Sequence, residues 1–219
     1  EKALKRKKKA KVHIKLDTGM SRLGFQTDAS SISDIRKLFQ LEGLKVEGIF
    51  THFAKADEKD RTVTEEQFRI FTEAVNTIEA KDYKIPIKHI ANSAGIIEYP
   101  NTHLDMVRPG IILYGMYPSD EITKSKIHLK PILSLKTRVA HVKSLPKGKA
   151  ISYGGTYITE RHTIIATLPV GYADGYSRLL SSRAQVLING QRARVVGRIC
   201  MDQCMEDVTE IQGDVKPKD

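Results

Sequence analysis

Residues 11–17 read KVHIKLD, and this run decides the fold class. Val12, Ile14 and Leu16 share one face of a period-two strand, and His13, Lys15 and Asp17 share the other. A strand of a parallel barrel is normally apolar on both faces. Three polar side chains on one side therefore either line a site or face solvent at a sheet edge. The next residues, Thr18-Gly19-Met20-Ser21-Arg22, form a loop at the carboxyl end of that strand, where barrels and open sheets place their ligands.

Downstream, the pattern repeats. Residues 30–40 carry Ile32, Ile35 and Leu38 at helical spacing, and residues 46–53 form a second apolar run. Thr62 and Glu65 are spaced as a capping box ahead of a stripe of Phe68, Phe71, Val75 and Ile78. Residues 85–92 (IPIKHIAN) predict a third strand and residues 106–114 a fourth. Strand and helix in alternation imply a parallel sheet with crossover helices. Thr51-His52 closes the second run, and His89, Asn92 and Ser93 close the third, with Ser93-Ala94-Gly95 placed to open a helix. Arg108-Pro109-Gly110 interrupts the fourth. Taken singly, each is a hydrogen-bonding group of an ordinary loop; four successive strand ends of this kind point to a site. Ser93 and Gly110, on adjacent late strands, would supply the hydroxyl and backbone N–H donors of a phosphate site.

Beyond residue 125 the character changes. Residues 132–145 alternate, residues 163–170 form a strand, and residues 184–199 contain VLINGQRARVVG, where Asn189-Gly190 suits a two-residue hairpin turn. No helical stripe appears there. The expected architecture is an α/β domain over residues 1–120 and a mostly antiparallel β domain over residues 125–219, joined through residues 118–130. Two tyrosine clusters, SYGGTY (152–157) and GYADGY (171–176), lie in the β domain; the glycines either present the phenols at a surface or simply turn two loops with packed rings. Cys200 and Cys204 form a C-x3-C pair with no second ligand pair, which is not the spacing of a metal site.

Composition sets the outer limits. The 219 residues are 40% hydrophobic and 28% charged, enough for a packed core and too apolar for a disordered chain. No apolar run approaches the roughly 18–20 residues that span a bilayer. Two cysteines exclude a disulfide framework. The net charge of +10 invites a nucleic-acid reading, but residues 1–11 hold seven basic residues and one acid, which leaves +4 to the rest. That segment reads as a solvated helix face, and no nucleic-acid-binding signature accompanies it. The chain opens on Glu rather than Met, with no signal-like segment. A piece of a longer cytoplasmic protein is expected.

The stretches VHIKLDTGMSRLGF, FTHFAKAD, HIANSAG, DMVRPGIILYG, ISYGGTY, LPVGYADGY and VGRICMDQCMED, in this order across residues 11–208, resemble the alanine racemase family. The resemblance implies the C-terminal half of a (β/α)8 TIM-type barrel followed by a β domain. It implies a pyridoxal-phosphate enzyme that interconverts L- and D-alanine by two-base proton transfer for peptidoglycan supply. It also implies a homodimer with shared active sites and a small-molecule substrate, with no role for nucleic acid or membrane.

Residue by residue, the resemblance makes Tyr153 the catalytic tyrosine and sets Arg108 against the pyridine nitrogen, with His52 and His89 in the network around it. Arg22 meets the cofactor phenolic oxygen and the substrate carboxylate. Asn92, Ser93, Gly110 and Ile111 fall at cofactor contacts, the last three at the phosphate. Tyr172 and Met201 belong to the substrate region, and Lys15 matches a lysine that is carbamylated in some members and positions the arginine.

One departure matters. The family's cofactor-anchoring lysine sits in a motif resembling AVVKANAYGHG, and this sequence contains none; Lys15 matches a different position. Two rival readings follow. A fold-related amino-acid decarboxylase or broad-specificity racemase shares the plan, although ISYGGTY with GYADGY favours alanine racemase. A non-catalytic cofactor-binding or interaction module is the second.

Overall fold

The computed structural model describes residues 1–80 and 83–218. The chain divides into two compact units, Glu1–Ser134 and Leu135–Asp219. The first holds helix α1 (Lys2–Lys5), strand β1 (Ala10–Lys15), α2 (Ala29–Phe39), β2 (Leu44–Phe50), α3 (Thr62–Glu79), β3 (Ile87–His89) and α4 (Ser93–Glu98). Its strands form a parallel sheet in the order β1-β2-β3. The basic leader contributes only the single helical turn of α1 before β1 begins.

The alternation in β1 is realised: Ile14 and Leu16 are buried in the core, whereas His13 and Lys15 are half-buried on the other face. Helix α2 starts at Asp28, whose carboxylate accepts the Ser30 and Ser31 amides. It buries Ile32 and Ile35, and α3 buries Phe71, Val75 and Ile78 beside them. Full burial of each such side chain stabilises by roughly 1.5–3 kcal/mol before entropy is counted. The expected capping box at Thr62 and Glu65 does not form. Arg61 occupies the cap position without a side-chain bond, and the Thr62 amide donates to Asp60 Oδ1 at 2.9 Å instead.

One further expectation fails in this unit. Residues 106–114 are not a strand. The amides of Asp105 and Arg108 donate to the carbonyls of Lys88 and Ala91, but Pro109 has no N–H to extend the pairing, and Ile111–Tyr114 winds into a 3-10 turn. Residues 118–130, expected as the joint, pack with the first unit. Ile122 is buried in its core with Tyr117 and Ile127 against it, and Glu98 accepts the Thr123 amide and pairs with Lys126. The division falls between Ser134 and Leu135.

The second unit contains β4 (His141–Leu145), β5 (Ala150–Ile151), β6 (Tyr157–Ile158), β7 (Thr163–Leu168), β8 (Gln185–Ile188), β9 (Gln191–Val195) and β10 (Cys204–Asp207). Five strands form an antiparallel sheet in the order β4-β7-β10-β9-β8. The β8–β9 hairpin turns at Asn189-Gly190, both with positive φ (51° and 73°), the left-handed pair such a turn requires. Of the alternating run 132–145, only residues 141–145 find a partner strand; Ile132, Leu133 and Leu135 stay exposed. The central strand β10, unmarked by any strand pattern in the sequence reading, pairs with both β7 and β9.

Candidate active site

Register brings three residues of the first unit into one row: Lys15 on β1 lies opposite Phe50 on β2, and Phe50 opposite His89 on β3. The Phe50 ring stacks on His89 with centroids 4.9 Å apart and planes 4° apart. Arg108 lies over the same ring at 5.2 Å and the Lys15 ammonium at 5.8 Å. The negative ring face attracts both cations, and the His89 imidazole stacked on it is buried.

Arg108 is the hub. Its Nη1 donates to His89 Nδ1 at 2.6 Å, and its Nη2 donates to the Thr51 carbonyl at 2.7 Å, to His52 Nδ1 at 3.2 Å and to the Ile90 carbonyl at 3.2 Å. Guanidinium is a donor only, so both imidazoles must present an unprotonated Nδ1 to it. Burial and the neighbouring Arg108 charge push His89 and His52 down to about 4; Arg22 and Lys15 add to the effect on His52, and His13 to that on His89. Both rings are neutral around Arg108, and His52 keeps its proton on Nε2.

Lys15 Nζ donates to the Leu16 and Leu23 carbonyls at 3.1 and 3.2 Å. Burial holds its ammonium below the usual range; Asp17 opposes this, and Arg22 and Arg108 reinforce it. The loop after β1 is shaped by Asp17, whose Oδ1 accepts the amides of Gly19 and Ser21, and by Gly24, where a Cβ would sit 2.8 Å from the Asp17 nitrogen. The exposed Arg22 lies on this loop.

Beneath the loop is a buried knot that the sequence reading missed. Gln67 on α3 donates to Thr18 Oγ1 and the His52 carbonyl and accepts the Ala54 amide, and Thr18 and Thr51 share a 2.8 Å hydroxyl bond. Gln67 sits on the apolar stripe of its helix, one residue before Phe68. A glutamine four residues before Phe71, on the side the helix turns to the core, was the available signal, and it is fully buried.

At the end of β3, Asn92 Oδ1 caps α4 through the Gly95 amide. Ser93 Oγ accepts the Gly110 amide at 2.8 Å, so the hydroxyl proton of Ser93 remains to be given while that amide is taken. Ile111 opens the 3-10 turn and is 39% exposed. Ser93, Gly110 and Ile111 thus lie together, but the Gly110 N–H, expected as a phosphate donor, is given to Ser93 instead.

In the second unit, Tyr153, Tyr172 and Met201 sit on three loops tied to one another. Ser152, at φ 63°, donates from its hydroxyl to the Arg198 carbonyl at 2.5 Å. The amides of Tyr172 and Ala173 donate to the carbonyls of Cys200 and Met201. At Gly171 a Cβ would lie 2.4 Å from both of those carbonyl oxygens, so only glycine permits the approach. All three side chains are exposed, at 68%, 45% and 60%. Cys200 and Cys204 are free thiols.

Lys15, Arg22 and Arg108 all act on His52. Three cations about two neutral imidazoles, a stacking ring and a serine–glycine pair are a donor set suited to an anionic aromatic cofactor bearing phosphate.

Residues 1–118 match the model of the alanine racemase N-terminal domain, and residues 132–219 that of the alanine racemase C-terminal domain. An alanine racemase of Desulforamulus reducens is 54% identical over 206 residues, covering 94% of this chain and 56% of that protein. One of Methanococcus maripaludis is 56% identical over 205 residues, covering 94% and 55%. A solved alanine racemase of Clostridium difficile 630 superposes with a TM-score of 0.94 at 44% identity, covering 99% of this chain and 56% of that one. The same protein in complex with cycloserine superposes at 0.89. The chain spans about half the length of the curated relatives it matches.

Proposed function

Because the chain belongs to the alanine racemase family, we propose that it forms the C-terminal part of a pyridoxal-phosphate-dependent racemase acting on alanine. Its units are the C-terminal portion of the family's TIM-type barrel and the β domain that follows. The observation that carries the reading is the Arg108 hub: a half-buried guanidinium, held by two neutral histidines and two carbonyls, at the carboxyl ends of parallel strands.

Arg108 would hold the ring nitrogen of the cofactor. A fixed cation there disfavours a proton on that nitrogen, because two positive charges in contact are costly. His52 and His89 orient the guanidinium. Ser93, through its hydroxyl proton, and the Gly110–Ile111 turn that its oxygen holds would take the phosphate end, and Asn92, a further cofactor contact, caps the helix that Ser93 opens. Arg22 would meet the phenolic oxygen and the substrate carboxylate. When bound, pyridoxal phosphate supplies the electron sink that makes the α-proton of an amino acid removable.

The protein must then place one acid/base group on each face of the substrate. Tyr153 Oη takes or returns the proton on one face, with Tyr172 and Met201 bounding the substrate. The base for the other face is the family's cofactor-anchoring lysine, in a motif this chain does not contain. Carbamylation of Lys15 would join its neutral amine to carbon dioxide with loss of one proton, replacing a cation beside Arg22 by an anion that positions it.

A homodimer with shared sites fits this division of labour, one subunit giving the cofactor residues and the other Tyr153. Among the described residues no helix is long and apolar enough to cross a membrane, and we place the enzyme in the cytoplasm. The test is a racemase assay on the full-length protein containing this chain. Conversion of L-alanine to D-alanine that needs pyridoxal phosphate is expected, and decarboxylation or no turnover overturns the reading. Mixing subunits that carry Tyr153→Phe with subunits lacking the anchoring lysine tests the dimer. Activity returns on exchange if sites are shared, and stays at background if each site lies within one chain.

A further inference from the structure

We propose that His13 is a positioning residue: reached across the gap left by Gly48, it accepts the ring proton of His89 and completes a one-way relay Arg108→His89→His13. This rests on the function above only for what Arg108 faces; the relay itself lies in the chain.

His13 Nδ1 lies 2.7 Å from His89 Nε2, with ring centroids 5.0 Å apart. The two residues are on β1 and β3, and β2 runs between them. In a regular register His13 would face Glu47. Instead the pairing slips after Val12, which lies opposite Val46, so that His13 lies opposite Gly48. Glu47, displaced from the ladder, pairs with Lys11 and Lys45. A Cβ at Gly48 would stand 2.6 Å from His13 Nδ1 and 2.7 Å from the Ile87 carbonyl oxygen. The bulge and the missing side chain therefore open a path by which a side chain of β1 reaches β3 on this face.

The direction of the relay follows from Arg108, which can only donate. Its bond at 2.6 Å requires His89 Nδ1 to be bare, so a neutral His89 carries its proton on Nε2. That proton points at His13 Nδ1, which must be bare in turn. His89 is 3% exposed, and without His13 its Nε2–H would be buried with no acceptor, a penalty that ring rotation would relieve at the expense of the Arg108 bond. Phe50, stacked on His89, restrains that rotation. His13 thus acts on the guanidinium through His89 and touches no reacting atom.

The experiment is nitrogen-15 NMR of the histidine rings in the full chain without cofactor. The expected spectrum has His89 protonated at Nε2 and bare at Nδ1, His13 bare at Nδ1, and a His89 Nε2 proton that exchanges slowly. His13→Leu loses the slow exchange. His13→Asn restores it, because an amide oxygen accepts near the Nδ1 position. Gly48→Ala, with every ring kept, loses it. A His89 proton on Nδ1, fast exchange in the unaltered chain, or slow exchange kept in both His13→Leu and Gly48→Ala overturns the proposal. The relay is read without turnover, so an inactive full-length enzyme with the expected tautomers overturns the function alone, and an active one with reversed tautomers overturns the relay alone.

Discussion

Phe50 and His89 lie face to face, ring planes 4° apart, on neighbouring strands at the point where Arg108 approaches both. The stack shields an imidazole whose protonation is opposed first by burial and then by Arg108.

His89 and His52 therefore stay neutral down to about pH 4 in the folded chain, against an ordinary value near 6.5. Their folded pKa values are lowered, so the unfolded chain binds more protons between those limits, and their contribution to stability is lost as pH falls from about 6.5 toward 4. NMR titration of the ring protons checks this. Phe50→Ala admits water and moves His89 back toward 6.5. An unchanged His89 in that variant would show that the stack does not shield it.

Glu206 moves stability the opposite way. It is fully buried in the second unit. Neither oxygen accepts a conventional hydrogen bond, and the neighbouring Cys204 thiol is a weak donor. Burial pushes its carboxyl up to about 7 from an ordinary 4.5. With the folded pKa raised, its contribution is present at acid pH and is lost as pH rises from about 4.5 through 7, a cost of roughly 3 kcal/mol above that range. Glu206→Leu should raise the melting temperature at pH 8 and much less at pH 5. Equal gains at both values would refute the assignment.

Tyr153→Phe in the full-length enzyme removes one exposed hydroxyl and should leave folding intact. Turnover should fall at least about 10²-fold, the scale of a lost general acid–base group. Near-normal rates in both directions would make Tyr153 a packing residue.

Gly171→Ala places a methyl group against the Cys200 and Met201 carbonyls. A cost of about 1–3 kcal/mol follows from the forced separation, with faster proteolysis in the loops bearing Tyr172 and Met201. Chemical denaturation measures it; a loss below about 0.5 kcal/mol means that the loops separate freely.

The chain by itself should not take a specific covalent cofactor label, since it lacks the anchoring-lysine motif. Borohydride reduction with pyridoxal phosphate, followed by peptide mapping, should find no stoichiometric site. Label concentrated on one lysine, Lys15 included, would contradict this.

Local sequence determined what local periodicity can encode. The alternation of residues 11–17, the stripes at Ile32–Ile35 and Phe71–Val75–Ile78, and the Asn189-Gly190 turn each depend on a few adjacent residues, and each appears in the fold. The polar strand ends were equally legible, because a charged or imidazole side chain on a parallel strand stands out against an apolar background. What only the tertiary structure decided was pairing. Whether residues 106–114 and 132–140 become strands depends on partners far away in the chain, and those partners were absent or blocked at Pro109. The slip that sets His13 opposite Gly48, the Phe50 stack, the Gln67 knot and the burial of Glu206 all come from register and packing between elements, where one residue of offset changes every neighbour.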